Sequence, residues 1–235
     1  RSDGGPVHTL TAAAILFDMD GVLLDSRPVV ERTWRRWAER HGLSAEAVLR
    51  VAHGRRTRDT LQVVAPDLAT DQEVVWLDAA ELEDFAGIRP IAGAHALVAS
   101  LPSDRWTVVT SAGRELAARR LAKVGLTLPA HAVTSEDVQN GKPAPDGYLL
   151  AAARLGVSTA ECVVVEDAPP GIESGRACEA RVIAVATTQP REALTAADLI
   201  ISDLDSLVVI GITPLLRLAV IPSMGSGSAP SLRSG

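Results

Sequence analysis

Two aspartates one residue apart, Asp18 and Asp20, close an apolar run in the stretch ILFDMDGVLLDS at residues 15–26, and Gly21 follows at once. On a strand, alternation puts both carboxylates on the same side, about 7 Å apart. Such a pair repels unless a cation lies nearby or one member is protonated. A second acidic pair, Glu166 and Asp167, closes the apolar run CVVVE; Thr110 and Ser111 end TVVTSAG; Lys142 stands in NGKPAP. Only Lys123 and Lys142 among the 23 basic residues are lysines, so Lys142 marks a place that suits a compact point charge better than a planar guanidinium.

Carboxylates, hydroxyls and an ammonium, each just past a strand end, suit phosphoryl transfer. An oxygen-rich ligand set points to Mg²⁺, which would let Asp18 and Asp167 stay ionised together and would neutralise an incoming phosphate dianion. Asp18 is then placed to attack phosphorus as a carboxylate nucleophile. Asp20 is placed to protonate the leaving oxygen and later to activate water. Lys142, the hydroxyl of Thr110 or Ser111, and backbone N–H groups beside it, including Ala112, would hold the equatorial phosphate oxygens. Gly21 permits a tight turn that leaves the site uncovered. A lone D-x-D also occurs in surface turns and glycosyltransferases, and an acidic pair after a strand also caps helices. The ordered set is what carries the chemistry.

Positioning that set requires strands whose carboxyl ends meet. Apolar, strand-like runs recur at 12–17, 106–110, 131–134, 162–166, 181–185 and 197–201, with helical patterns ELAARRLAKVG, GYLLAAARLG and GIESGRACEA among them. This alternation predicts an α/β fold built on a doubly wound parallel sheet, in which ligands bind at the carboxyl ends of the strands. Residues 27–90 break the rhythm. They hold no convincing strand, and Val30, Trp34 and Trp37 at helical spacing predict an all-helical insert with the tryptophans in its own core. The expected organisation is a core of residues 10–26 and 91–208, a helical cap at 27–90, and an irregular tail over 209–235 whose last dozen residues read as disordered.

The 235 residues are 47% hydrophobic with a net charge of −6, and the basic residues are scattered among acids, which leaves no footprint for nucleic acid. No apolar run approaches the roughly 20 residues that span a bilayer, and no signal peptide is evident, so a cytoplasmic protein is expected, with no membrane partner. Cys162 and Cys178 have neither metal nor disulfide spacing and read as buried thiols. No heptad seam demands a partner, and a monomer is expected. A signalling receiver uses similar atoms, but its acidic pair comes first and its phosphorylated aspartate lies on a middle strand. Net acidity and the lack of a basic groove disfavour a nuclease.

FDMDGVLLDS, VVTSAG, GKPAPDGYLLAA and VVVEDAPPGIESGRACEARVIAV together resemble the motifs of the haloacid dehalogenase superfamily of phosphatases, across residues 10–208. A helical insert directly after the first motif is similar to the cap of the branch containing β-phosphoglucomutase, the glycerol-phosphate phosphatases and the deoxysugar-phosphate phosphatases. HGRRTRDTL at 53–61 resembles the phosphatase members in particular. The resemblance implies a Rossmann-like core with Asp18 as nucleophile, Asp20 as acid/base, and Lys142 with Ser111 or Thr110 as phosphate holders. Mg²⁺ would be bound by the Asp18 side chain, the Asp20 carbonyl and Asp167, with Glu166 alongside.

The acid two positions after the nucleophile argues for phosphate chemistry over carbon–halogen cleavage. Mutase-like members carry a cap histidine where this chain has Val30, and a cap lysine; phosphonate-cleaving members also need a cap lysine, and residues 27–90 contain none. The expectation is therefore a Mg²⁺-dependent phosphomonoesterase that hydrolyses a small sugar or polyol phosphate through an aspartyl-phosphate. A sugar phosphomutase of the β-phosphoglucomutase type is the alternative. In the cap, His53, Arg55 and Arg56 form a basic cluster expected to recognise the small phosphorylated metabolite.

Overall fold

The computed structural model describes residues 8–221. In chain order its elements are β1 (His8–Ala12), β2 (Ala14–Phe17), β3 (Leu24–Asp25), α1 (Arg27–Arg40), α2 (Ala45–Ala52), α3 (Thr57–Val64), α4 (Asp71–Glu83), β4 (Arg89–Pro90) and α5 (Ala94–Ala99). There follow β5 (Trp106–Val108), α6 (Arg114–Lys123), α7 (Asp146–Leu155), β6 (Cys162–Glu166), α8 (Pro169–Ala177), β7 (Arg181–Val185), β8 (Leu199–Ile201), β9 (Leu207–Gly211) and β10 (Leu216–Val220).

Five strands form one parallel sheet in the order β5-β2-β6-β7-β8. Both faces of the sheet are covered, which is why β2 and β6 read as unbroken apolar runs and are buried along their whole length. Ile15, Phe17, Val163 and Val165 pack on one face with Ala117 and Leu121 of α6. Ala14, Leu16 and Val164 pack on the other with Tyr148 and Ala151 of α7 and Ile172 of α8. From β2 the chain returns to the sheet first on one side, at β5, and then on the other, at β6. The carboxyl end of β2 is therefore the point where the winding reverses, and a crevice opens there.

The excursion between β3 and β4 is helical. Helices α1–α4 enclose Trp34, Trp37, Val48, Leu61 and Leu77, with the Trp34 and Trp37 rings edge to face at 5.5 Å, so the tryptophans are core residues of this unit. Arg89 and Pro90 lie in the stretch expected to hold no strand, yet they pair antiparallel with Leu24 and Asp25. The buried Asp25 carboxylate holds Arg27 at 3.0 Å and lies 3.7 Å from Arg89, so one acid ties both arms of the neck.

Three other segments depart from expectation. The run 12–17 breaks at Ala13, because β1 leaves the parallel sheet to pair with β10. The run 131–134 contributes a single bridge, Val109 to Val133, before a 3₁₀ turn at Ser135–Asp137. The irregular tail is corrected for residues 209–220. There β9 and β10 form an antiparallel sheet with β1, held by buried Leu207, Leu216, Leu218 and Val220 against Leu10. The alternation of Leu216 and Leu218 around exposed Arg217 is the strand signal in that stretch. Residues 222–235 lie outside the described residues. Among the described residues both cysteines are free and buried, and no helix is long and apolar enough to cross a membrane.

Candidate active site

The last ladder contact of β2 is the Asp18 N–H, which donates to the Val165 carbonyl at 2.9 Å. The chain then turns back on itself, with the N–H groups of Leu23 and Leu24 both donating to the Met19 carbonyl, and Gly21 takes φ +83°. A Cβ on Gly21 would come within 2.1 Å of Asp167 Oδ2. Glycine is needed there for its backbone conformation and for the approach to Asp167.

Asp18 at the end of β2, and Glu166 and Asp167 at the end of β6, bring one carboxylate oxygen each within 4.8 Å of one another, all three buried. Lys142 enters from the loop before α7. Its Nζ donates to Asp18 Oδ1 at 2.5 Å, Glu166 Oε1 at 2.6 Å and the Val109 carbonyl at 3.2 Å. Tyr148 donates to Glu166 Oε1 at 2.6 Å, and the Asp167 N–H donates to Glu166 Oε2 at 3.1 Å, so both Glu166 oxygens are engaged. Gly171 makes room for that carboxylate, since a Cβ there would lie 1.8 Å from Glu166 Oε1. The Thr188 hydroxyl donates to Asp167 Oδ2, while Asp167 Oδ1 is buried with no hydrogen-bond partner.

Three buried acids and one ammonium leave a formal deficit of two positive charges. Burial pushes the Asp18 carboxyl up to about 8, with the Lys142 charge opposing and the Glu166 charge adding. Burial likewise pushes Asp167 well above the usual carboxylate range, reinforced by the charges of Asp18 and Glu166. Lys142 is raised despite its burial, because Asp18 and Glu166 favour its charged form. A divalent cation would remove this penalty, and the unpartnered Asp167 oxygen is a ligand atom in waiting. The donors are all oxygens, the set that suits Mg²⁺. The residues present therefore fit the expected ion.

Asp20 is not part of that cluster. Its Oδ1 accepts from Arg120 Nη1 at 3.0 Å, and Arg120 Nη2 donates to Glu81 Oε2 at 3.0 Å. Thr110, Ser111 and Ala112 lie in the floor of a cavity of about 470 Å³ that opens between the sheet edge and the helical unit. The Ala112 N–H donates to Thr110 Oγ1 at 3.1 Å, whereas the Ser111 hydroxyl donates to the Gly54 carbonyl of the cap at 3.1 Å.

His53, Arg55 and Arg56 all line this cavity. Arg56 is committed elsewhere: it pairs with Asp59 at 2.7 Å and donates to the Gln139 carbonyl at 3.0 Å, which ties cap to core. Burial lowers the His53 imidazole, with the Arg27 charge adding and the Glu31 and Asp20 charges opposing. Arg55 has no hydrogen bond or ion pair among the described residues, whereas Arg27, Arg58 and Arg120 around the same cavity are each paired with an acid.

Sequence reasoning singled out the acids and Lys142 but passed over Tyr148, Gly171, Thr188, Arg120 and Glu81. The run GKPAPDGYLLAA contains Tyr148, and a tyrosine six residues after the lysine was a usable signal. Thr188, Arg120 and Glu81 offered none, since each meets the site across a long stretch of chain.

The model of the haloacid dehalogenase-like hydrolase family matches residues 12–179. The chain is 42% identical over 199 residues to hexitol phosphatase A of Escherichia coli, a match covering 83% of this chain and 92% of that protein. It is 36% identical over 193 residues to glycerol-1-phosphate phosphohydrolase 2 of Saccharomyces cerevisiae, covering 77% of each. A crystal structure of a hydrolase from Pseudomonas syringae superposes with a TM-score of 0.72 at 24% identity, over 82% of this chain and 94% of that one, and so shares the fold.

Proposed function

The chain belongs to the haloacid dehalogenase-like hydrolase family, and from that premise we propose that it is a Mg²⁺-dependent phosphatase that hydrolyses a small sugar or polyol phosphate through an aspartyl-phosphate. It is an enzyme, and the relatives named above are phosphatases of a hexitol phosphate and of glycerol 1-phosphate. The observation that supports the reading best is the buried cluster of Asp18, Glu166 and Asp167 around Lys142, two positive charges short of neutrality at the switch point of the sheet.

Asp18 and Asp167, with the Asp20 carbonyl, would hold the ion, which screens phosphate from the acids and polarises its oxygens. Glu166, with both oxygens already engaged, anchors Lys142. An Asp18 oxygen bonds to phosphorus as the ester P–O bond breaks, and the departing alkoxide takes the Asp20 carboxyl proton. A water then gives a proton to the Asp20 carboxylate and its oxygen bonds to phosphorus. The bond from phosphorus to Asp18 breaks, and inorganic phosphate leaves. Lys142 and the donors around Thr110, Ser111 and Ala112 hold the equatorial oxygens, where charge gathers in the transition state. The cap would exclude bulk water from the acyl-phosphate step.

A panel of hexitol, glycerol, sugar and glycolate phosphates, assayed for phosphate release with Mg²⁺ and no bisphosphate, tests this reading. Release from polyol or sugar esters is expected, together with loss of turnover in Asp18→Asn. Turnover only with a sugar bisphosphate present would favour the mutase. Activity above a few per cent in Asp18→Asn would remove Asp18 as nucleophile.

A further inference from the structure

Arg120 lies on α6 within the pattern ELAARRLAK, where it reads as one more polar helical residue, yet its side chain is only 3% exposed. Its guanidinium lies between two acids from different parts of the fold, Asp20 after the nucleophile strand and Glu81 on cap helix α4, with 3.0 Å to each. Its Nε is buried without a partner, so the two Nη groups carry the whole interaction. Burying a guanidinium is unfavourable unless its geometry is well matched, and a planar fork held at two points cannot turn.

The hold on Asp20 is one-sided. Arg120 takes Oδ1, and Oδ2 makes no hydrogen bond among the described residues. An acid group must sit within hydrogen-bond reach of the oxygen it protonates, and a misplacement of about 1 Å can cost about 10²-fold in rate. Fixing one oxygen while leaving the other open meets that need. Glu81 fixes the guanidinium in turn, and because Glu81 belongs to the cap, the acid's position depends on how the cap is seated.

We propose that Arg120 is a positioning residue for Asp20, and that Glu81 of the cap holds Arg120 in the orientation that does this. The proposal rests on the reading of Asp20 as acid/base, so its test must fail separately from that reading. An alkyl phosphate such as glycerol 1-phosphate releases an alkoxide that needs a proton, whereas p-nitrophenyl phosphate releases a phenolate that does not. The value of kcat/KM reports events up to that release. It should be measured on both esters for Asp20→Asn, Arg120→Lys, Glu81→Met and the double variant D20N/R120K, with thermal midpoints to confirm folding.

Asp20→Asn should lose about 10²–10⁴-fold on the alkyl ester and little on the nitrophenyl ester. Arg120→Lys keeps the charge but lacks the fork, and should lose about 10–100-fold with the same selectivity. Glu81→Met should show a smaller loss of the same kind. The double variant should be no worse than Asp20→Asn alone on the alkyl ester, because Arg120 acts through the group already removed. Equal losses on both esters, or an additive loss in the double variant, would assign Arg120 to substrate binding or the fold and overturn the proposal. If Arg120→Lys does not fold, Glu81→Met decides: a selective loss supports the proposal, and an equal loss or none overturns it. If Asp20→Asn itself shows no selectivity, the acid/base reading fails instead.

Discussion

At the floor of the cavity lie the buried Asp18 and Asp167, and Asp18 with the buried Glu166 behind it holds Lys142. At its roof, Arg55 and His53 sit half-buried, and Arg55 has no partner among the described residues. The two regions face the same space with opposite electrostatics. The floor excludes water, so each charge acts through a low dielectric and a missing partner is felt strongly. The roof is partly solvated, so its charges are screened and each contributes modestly. On the proposed reading, the floor carries the chemical step and the roof selects what reaches it. Substitutions at the floor should therefore change rate by orders of magnitude, and those at the roof should change apparent affinity.

Beyond removal of the nucleophile or of the acid/base group, Lys142→Arg gives the largest expected effect. The ammonium meets Asp18, Glu166 and the Val109 carbonyl within 3.2 Å, in a space where a planar guanidinium would collide with the carboxylates it replaces contact with. A loss of about 10²–10³ in kcat is expected, the range for removing a positioned transition-state donor. A rate near that of the wild type would show that only the charge matters, and would erase the distinction between a geometrically strict floor and a tolerant roof.

The contrast also shows what was legible in the chain. Asp18, Asp20, Glu166 and Asp167 were readable because each stands at or just past a strand end, and a parallel sheet brings its strand ends to one edge; Lys142, in the loop before α7, was readable because the chain has only two lysines. The parallel core was readable because its strands are apolar on both faces. The hold on Asp20 was not, because Arg120 reaches Asp20 across 100 residues and Glu81 across 39, and a helical pattern does not tell a buried arginine from an exposed one. The roof was half readable. The cluster HGRRTRDTL was visible, but only the ion pair of Arg56 with Asp59 and its bond to the Gln139 carbonyl separate a cap-to-core tie from a free cation. β9 and β10 are hard to read because each is only five residues long, β10 alternates over just Leu216–Leu218, and the stretch leads into a Gly- and Ser-rich end.

Metal binding sharpens the comparison without any turnover. If the floor lacks two positive charges, Mg²⁺ at about 100 times its Kd should stabilise the fold by about 2.7 kcal/mol, or about 5–10 °C in thermal midpoint for a chain of this size. Asp167→Asn should abolish the shift. The pH dependence follows from the raised carboxyls. Asp18 titrates near 8 in the ion-free fold and near 3.9 when unfolded, so the ion-free fold binds the extra proton and loses stability as pH rises between those values. Mg²⁺ must displace protons from Asp18 and Asp167, so its stabilising shift should widen from pH 5 to pH 8. A shift that is flat or shrinks over that range, or one that survives in Asp167→Asn, would place the ion elsewhere.

The smallest effect belongs to the roof. Arg55→Ala removes a guanidinium with no intramolecular partner to strand, so the fold should keep its thermal midpoint to within a degree or two, as is usual for a surface change of under about 0.5 kcal/mol. What it removes is a cation that lines the cavity, worth about 1–2 kcal/mol if, as the proposed reading has it, it meets the hydroxyl-bearing end of the ester in a partly desolvated space. KM for the preferred polyol phosphate should therefore rise about 5–30-fold with kcat nearly unchanged, the pattern of a contact made equally in ground and transition states. KM for p-nitrophenyl phosphate, whose flat ring offers no hydroxyls, should move far less. Arg56→Ala provides the internal contrast: it breaks a tie between cap and core, so it should lower the thermal midpoint and affect both esters alike. If Arg55→Ala also affects both esters equally, the roof does not select substrate, and specificity lies in the shape of the cavity.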